Sequence, residues 1–284
     1  MTNPAGSFIW YELMADSQGD FVWYELMTTD PDAASAFYGD VVGWQVTAEG
    51  PQAPQGIEYR HIVRNDGGSA GGMLALTDEM LAGGARPGWF GYIHTPDLDA
   101  TVEAIVADGG GVMMPKMTIA VGSFALVTDP QGVPFYAMTP VPPAHDPDAT
   151  SDVFSVDRPQ TVRWNELVTP DDDAALAFYS RHFGWTQEGA MPMGDMGDYR
   201  FLQADGIGIG AVMKKPDSMP VGGWTFYFGV DNIDRAVSAA RAGGGNVMGE
   251  PNQIPGGEWS VHAFDPQGAF FGLVGPRLEP AQAD

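Results

Sequence analysis

The chain has 284 residues, of which 44% are hydrophobic, and its formal net charge at pH 7 is −24. This length suits two domains better than one, and the acidic balance argues against nucleic acid and anionic membranes as partners. The chain has no cysteine, which excludes disulfides and thiolate chemistry, and no apolar run near the roughly 18 residues that a membrane-spanning helix needs.

The beginning of the chain contains a short duplication. Residues 8–14 match residues 21–27 at six of seven positions, but only the second copy leads into Asp30 and Pro31, which are typical of a helix N-cap and first turn. We therefore expect residues 21–27 to form the first strand. Residues 1–19 would be an N-terminal arm, with residues 8–14 either a loose segment or an added edge strand. Residues 1–13 lack the basic start and apolar core of a signal peptide, so we expect a cytoplasmic location.

For the first module the sequence predicts one strand, one helix and three further strands. Residues 21–29 are rich in aromatic and β-branched residues, which favour a strand. The helix that follows has an apolar stripe and ends at Gly43. Further strands are predicted at residues 44–48, 57–64 and 72–76.

The second module repeats this order. A strand is predicted over residues 89–95 and a helix over residues 97–107, followed by strands at 112–114, 122–128 and 134–139. The sequence Asp129-Pro130-Gln131-Gly132 is typical of a hairpin turn.

After a proline-rich linker at residues 141–159, the same motifs return. Trp23-Tyr24-Glu25-Leu26 recurs as Trp164-Asn165-Glu166-Leu167, and the later Phe-Tyr, Gly-Trp, Tyr-Arg and Asp-Pro-Gln-Gly pieces recur in the same order. A repeat of this length indicates two tandem homologous domains. We place them at residues 20–140 and 160–277, with a C-terminal tail at 278–284, and expect the same strand order in both.

The order of strand, capping Asp, helix with Phe-Tyr, Gly-Trp and a closing Asp-Pro-x-Gly resembles the vicinal oxygen chelate superfamily. That group includes glyoxalase I, bleomycin-resistance proteins, fosfomycin-resistance enzymes and extradiol dioxygenases. The resemblance implies an α+β fold with two tandem domains. Each domain would consist of two βαβββ modules that form a curved mixed sheet around a cleft.

The resemblance also implies where metal ligands would stand. The family places them on the first strand of each module and on the last strand of the second module. In this chain those positions hold Trp23, Phe90 and Tyr136 in the first domain and Trp164, Thr225 and Gly272 in the second. None of these is the His or Glu that a catalytic divalent ion needs, so we expect no cofactor and a metal-free cleft.

Strand alternation predicts which side chains share the cleft faces, because residues two apart on a strand point the same way. The predicted ligand-binding residues of the first cleft are Trp23, Glu25, Phe90, Tyr92, His94 and Tyr136. Those of the second cleft are Trp164, Glu166 and Tyr227.

Glu25 and Glu166 allow three interpretations. Each could be a base with a raised pKa, a contact for a ligand cation, or a structural carboxylate bonded to the Tyr-Arg pair that begins at Tyr59 or Tyr199. None of the five histidines recurs in the other domain, and His182 and His262 align with Val41 and Leu126.

These observations favour a protein that binds a small aromatic or cationic molecule in an acidic, aromatic-lined, metal-free cleft, as in the bleomycin-resistance branch. The alternative is a divalent-metal-dependent lyase, isomerase or dioxygenase with non-standard ligands. A third hypothesis is a structural protein with degenerate clefts. We expect a small-molecule ligand, no nucleic-acid or membrane partner, and either a monomer of two pseudo-symmetric domains or a homodimer.

Overall fold

The computed structural model describes residues 17–47, 57–141, 149–217, 219 and 221–278. The first half contains eight strands and three helices. In chain order they are Phe21–Thr28 (β1), Pro31–Val42 (α1), Gln45–Thr47 (β2), Tyr59–Val63 (β3), Ser69–Ala75 (β4), Asp78–Ala82 (α2), Gly88–His94 (β5), Leu98–Ala107 (α3), Gly111–Ile119 (β6), Gly122–Thr128 (β7) and Pro134–Pro140 (β8).

The second half repeats this succession with one exception. Its elements are Val162–Thr169 (β9), Asp172–Phe183 (α4), Thr186–Pro192 (β10), Asp198–Ala204 (β11), Ile207–Lys214 (β12), Gly223–Gly229 (β13), Ile233–Ala242 (α5), Asn246–Gln253 (β14), Trp259–Phe264 (β15) and Phe270–Gly275 (β16). Its described residues form no helix like α2 between β12 and β13, and a short 3₁₀ turn, Gly194–Met196, lies between β10 and β11. Among the described residues, no helix has the length and apolar character needed to cross a membrane.

The two halves have the same topology. Each forms an eight-stranded mixed sheet, in the orders β2-β3-β4-β1-β5-β8-β7-β6 and β10-β11-β12-β9-β13-β16-β15-β14. In both sheets the first strands of the two modules pair antiparallel at the centre, while each first strand runs parallel to the last strand of its own module. The predicted α+β class and the shared strand order are therefore confirmed.

The helix signals of the sequence correspond to real caps. The carboxylate of Asp30 accepts a hydrogen bond from the backbone N–H of Ala33 at 2.9 Å, and Asp171 caps α4 in the same way. Gly43 ends α1 in the left-handed conformation, with φ 90°. Helix α2 was not predicted, because only five residues follow its Thr77 cap and give no periodic apolar stripe.

The repeated Phe-Tyr and Asp-Pro-Gln-Gly motifs join the two domains. The hydroxyl of Tyr38 on α1 donates to the carboxylate of Asp265, 3.1 Å away in the second domain, and accepts from the Trp89 indole N–H at 2.8 Å. In the equivalent contact, the Tyr179 hydroxyl of the second domain donates to the carboxylate of Asp129 in the first, at 3.4 Å. Burial raises the pKa of both aspartates, so these motifs form a buried polar link between the domains.

The repeated Gly-Trp motif makes a second link of this kind. The Trp44 indole N–H donates to the carbonyl of Gln160 at 2.8 Å, and the Trp185 indole N–H donates to the carbonyl of Gly19 at the same distance. Trp44 also packs against Phe228 with 4.8 Å between ring centroids. The repeated sequence motifs therefore supply many of the contacts between the two domains.

We expect Tyr38→Phe to lower the free energy of unfolding by about 1–2 kcal/mol. The change leaves the Trp89 N–H without an acceptor and removes one donor from Asp265, both inside a buried interface. Urea denaturation followed by tryptophan fluorescence measures the difference. Tyr179→Phe is the matched control and should cost less, because the equivalent bonds of Tyr179 are longer, at 3.4 and 3.3 Å. Equal losses would contradict this account.

The duplicated segment at residues 8–14 lies outside the described residues. Residues 21–28 form the first strand and run directly through Asp30 into α1.

Candidate functional site

The concave side of the first sheet encloses a cavity of about 660 Å³. This volume falls within the range of about 300–1,000 Å³ that is common for small-molecule sites. Its walls are apolar and come mainly from β1, β5, β6, β7 and β8, with α2 and the Gly-Gly turn after it at one side. Six methionines line it: Met27, Met80, Met113, Met114, Met117 and Met138. Unbranched thioether side chains adapt to ligands of different shape.

A chain of polar contacts lies at the base of this cavity. The Trp23 indole N–H donates to the Tyr59 hydroxyl at 2.9 Å. An indole nitrogen can only donate, so the Tyr59 hydroxyl accepts there and its own proton can point towards the carboxyl of Glu25. The Tyr92 hydroxyl donates to Glu25 Oε2 at 3.1 Å. Glu25 is thus the centre of a tyrosine cluster rather than a direct partner of Trp23.

The Glu25 carboxyl is 3% exposed and incompletely satisfied. Burial raises its pKa to about 7, although the nearby hydroxyls of Tyr92, Tyr59 and Tyr136 act to lower it. Its second oxygen, Oε1, is buried and has no hydrogen-bond partner among the described residues. A buried oxygen without a partner is costly, and this one belongs to a residue that lines the cavity.

Aromatic packing fixes the tyrosines around this carboxyl. The rings of Tyr92 and Tyr136 stack with centroids 4.1 Å apart, and Phe124 meets both rings edge-on. Phe90, which pairs with Glu25 across β1 and β5, also lines the cavity. The structure therefore brings Trp23, Glu25, Phe90, Tyr92 and Tyr136 together on the wall of one cavity.

His94 departs from the predicted site. It does not belong to the residues that line the cavity, and its Nδ1 lies 2.8 Å from the carbonyl oxygen of Ser17. His94 is the last residue of β5, so its imidazole lies at the end of the strand, next to Ser17. Among the predicted residues of the first cleft, His94 is therefore the one that the structure does not bring to this cavity.

The second sheet repeats the polar chain of the first. The Trp164 indole N–H donates to the Tyr199 hydroxyl at 2.7 Å, and that hydroxyl donates to Glu166 Oε2 at 2.8 Å. The Tyr227 hydroxyl lies 2.9 Å from the same oxygen. The structure therefore groups the three predicted residues of this cleft. It also adds Tyr199, which was considered only as a structural partner of the glutamate.

Neither cleft has the donor set of a divalent metal centre. In the first, the three ligand positions implied by the resemblance hold an indole, a phenyl ring and a phenol, and the only carboxyl nearby has a pKa raised to about 7. Across residues 17–47, 57–141, 149–217, 219 and 221–278, no three His, Asp or Glu side chains form a group that could hold a metal ion. The residues present therefore do not fit a metal of the kind that the superfamily uses.

Sequence reasoning missed two parts of this arrangement. The methionines of β6 were not identified, because that strand was predicted to end at residue 114 whereas it extends to Ile119. His262 was passed over because its counterpart in the repeat is a leucine. The signal that the sequence did contain was a pair of differences between the repeats, where Leu126 and Tyr136 of the first domain align with His262 and Gly272 of the second.

Comparison with known proteins agrees with this architecture. The family model described as the Glyoxalase/Bleomycin resistance protein/Dioxygenase superfamily matches residues 20–136 and 160–273. The chain is 35% identical over 251 residues to CFP32 of Mycobacterium tuberculosis, whose name describes it as a candidate glyoxylase. The match covers 88% of this chain and 92% of that protein, and a protein of the same name from Mycobacterium bovis matches equally well.

Solved structures show the same fold at low identity. A Mn(II)-bound glyoxalase from Novosphingobium aromaticivorans superposes with a TM-score of 0.61 at 15% identity, over 93% of this chain and 84% of that one. The 2,3-dioxygenase LapB from Pseudomonas sp. KL28 gives 0.58 at 15% identity, over 94% and 96% of the two chains. At this identity the likeness establishes the fold and leaves the activity open.

Proposed function

Since the chain belongs to the Glyoxalase/Bleomycin resistance protein/Dioxygenase superfamily and its first cavity lacks a metal donor set, we propose that it binds a small aromatic molecule with a cationic group. The observation that carries this proposal is the buried, unpartnered Oε1 of Glu25 at the base of an otherwise apolar cavity. A ligand ammonium would give that oxygen a donor, and the ligand's apolar body would fill the space above it.

The physical balance favours a cation over a neutral ligand. A positive charge beside Glu25 would favour its ionised form, which burial now disfavours, and a charge-assisted hydrogen bond is about twice as strong as a neutral one. The aromatic walls add cation–π attraction to the same group. The net charge of −24 raises the local concentration of cations around the protein. Arg86 lines the cavity but is exposed, and its guanidinium donates to the carbonyls of Leu81 and Ala85.

A matched pair of ligands tests this proposal. 2-Naphthylmethylamine and 2-naphthylmethanol share one ring system and differ in carrying an ammonium or a hydroxyl group. We expect calorimetry at pH 8 to show tighter binding of the amine. We expect Glu25→Gln to weaken amine binding by about 10–100-fold, equivalent to about 1–3 kcal/mol, and to change alcohol binding much less.

The pH dependence provides an internal control. Amine affinity should rise between pH 6 and pH 8, because Glu25 ionises with a pKa of about 7 in the empty cavity. The Glu25→Gln variant should lose this rise. If Glu25→Gln lowered the affinities for the amine and the alcohol equally, the cavity would not distinguish a charged ligand from a neutral one. That result would contradict the proposal.

The alternative function is a metal-dependent enzyme, which the 35% identity to a candidate glyoxylase supports. Its ligands would have to be residues other than those at the six positions considered above. Metal analysis of the purified protein separates the two proposals. Metal near one equivalent per domain, removed by a chelator together with an activity, would favour the enzyme.

A further inference from the structure

The two clefts share their polar base but differ at two facing positions. In the first domain the cross-strand row from β5 to β7 contains Tyr92, Tyr136 and Leu126. In the second domain the same row, from β13 to β15, contains Tyr227, Gly272 and His262. A large ring and an aliphatic side chain are thus replaced by a glycine and an imidazole.

The glycine is required for this second arrangement. A Cβ atom built on Gly272 would lie 2.4 Å from the Tyr227 ring, so the ring lies directly over the space that a side chain would need. The Tyr227 hydroxyl is 2.5 Å from Nε2 of His262 and 2.9 Å from Oε2 of Glu166. The substitution of Tyr by Gly and that of Leu by His therefore act together and produce one connected group.

The number of hydroxyl protons determines the direction of each hydrogen bond among Tyr199, Tyr227, Glu166 and His262. Tyr199 accepts from an indole N–H, so its only proton goes to Glu166 Oε2. Two tyrosine hydroxyls then meet the same carboxylate oxygen, which therefore acts as an acceptor. Tyr227 donates its proton to Glu166 and has only a lone pair to offer to His262. The imidazole consequently carries its proton on Nε2, which leaves the lone pair on Nδ1.

The imidazole is accessible and lies among partly exposed rings. The His262 side chain is 37% exposed, whereas that of Glu166 is 9% exposed, and Nδ1 has no hydrogen bond within the described part of the chain. Phe270 packs against the imidazole with 5.2 Å between centroids. Phe264, whose ring centroid lies 4.9 Å from that of Phe270, is also only partly buried.

The titratable groups around His262 come from three strands. They are Tyr227 on β13, Glu166 on β9 at 3.8 Å from Nε2, and Tyr199 on β11 through the shared carboxylate. The neighbouring strand β14 places Met248 opposite the histidine. The charged group nearest to the imidazole is therefore the Glu166 carboxylate.

We propose that the second cleft is a proton-accepting site for a neutral aromatic weak acid, with His262 as the base and Tyr227 and Glu166 as positioning residues. The ligand's O–H bond breaks, its proton moves to His262 Nδ1, and the electron pair stays on the ligand oxygen. The acid enters uncharged, so the acidic surface of the protein does not repel it, and the product is an ion pair. This site is independent of the one proposed for the first cavity.

4-Nitrophenol tests this proposal, because its phenolate is yellow and its neutral form is not. We expect the full-length protein to bind the dye and to lower its apparent pKa by about one unit, seen as a phenolate band at a pH where the free dye is mostly neutral. His262→Gln should abolish that shift. Tyr227→Phe should reduce the shift while leaving the dye bound, because the hydroxyl orients the imidazole and does not touch the ligand.

Three results would overturn the proposal. The first is a dye that does not bind up to its solubility limit. The second is a pKa shift that persists in His262→Gln. The third is loss of the dye signal in Glu25→Gln but not in His262→Gln, which would place the dye in the first cavity. Circular dichroism of each variant checks that the fold is intact. If Tyr227→Phe is unstable, Glu166→Gln tests the same positioning group by removing the carboxylate to which Tyr227 donates, and it should also reduce the shift.

Discussion

The Glu25→Gln variant is expected to be more stable than the wild-type protein at pH 8 by about 3 kcal/mol in free energy of unfolding, and to match it near pH 4. Burial raises the folded-state pKa of Glu25 from 4.5 to about 7, and each pKa unit corresponds to about 1.4 kcal/mol. Gln has nearly the same shape as the neutral acid and likewise offers both a donor and an acceptor, but it cannot ionise.

The sign follows from proton binding. Because the folded-state pKa is the higher one, the folded protein holds a proton that the unfolded chain releases between about pH 4.5 and pH 7. The contribution of the neutral acid is therefore fully present below pH 4.5 and is lost as the pH rises through 7. Above that pH, Glu25 is ionised in the folded protein, and burial of this carboxylate lowers the free energy of unfolding by the full amount.

Chemical denaturation at a series of pH values from 4 to 8 measures this difference. The control is Glu103→Gln, since Glu103 is exposed on α3 and its replacement removes one negative charge without changing the cavity. We expect the stability gap between Glu25→Gln and wild type to open over this range, and the Glu103→Gln gap to stay flat. A constant gap for Glu25→Gln would show that its carboxyl is not neutral when buried.

The second large effect is expected for Gly72→Ala, which should lower the free energy of unfolding by about 2–4 kcal/mol and weaken amine binding in the first cavity. Gly72 pairs with Glu25 across β1 and β4. A Cβ at this position would lie 1.9 Å from the Tyr59 hydroxyl and 2.4 Å from the ring carbon that bears it. Overpacking and loss of the Tyr59 hydrogen bonds would both contribute.

Gly223→Ala is the matched control for this variant. Gly223 also lies in a strand, begins β13 of the second domain, and would gain a methyl group with no other atom within 4 Å of it. We expect Gly223→Ala to change stability by less than about 1 kcal/mol. Thermal unfolding and naphthylmethylamine titration are measured for both variants. If Gly72→Ala bound the amine as tightly as wild type, Tyr59 would not be needed to position Glu25.

The duplication, the fold class and the helix starts were determined by the sequence, because each depends on local or periodic information. Asp30 and Pro31 act on the adjacent backbone, so their cap is visible without any tertiary contact. Strand alternation is equally local, and it brought Trp23 and Glu25 to the same cleft. It did not foresee the contact of His94, whose imidazole lies against the Ser17 carbonyl at the end of β5.

The tertiary structure alone decided how the polar residues are connected. Tyr59 stands between Trp23 and Glu25, and His262 reaches Tyr227 only because Gly272 leaves room on a third strand. The repeated Phe-Tyr and Gly-Trp motifs look like features of one domain, but their hydroxyl and indole groups bond across to the other. Such contacts depend on which strands and domains become neighbours, and periodicity along one strand carries no information about that choice.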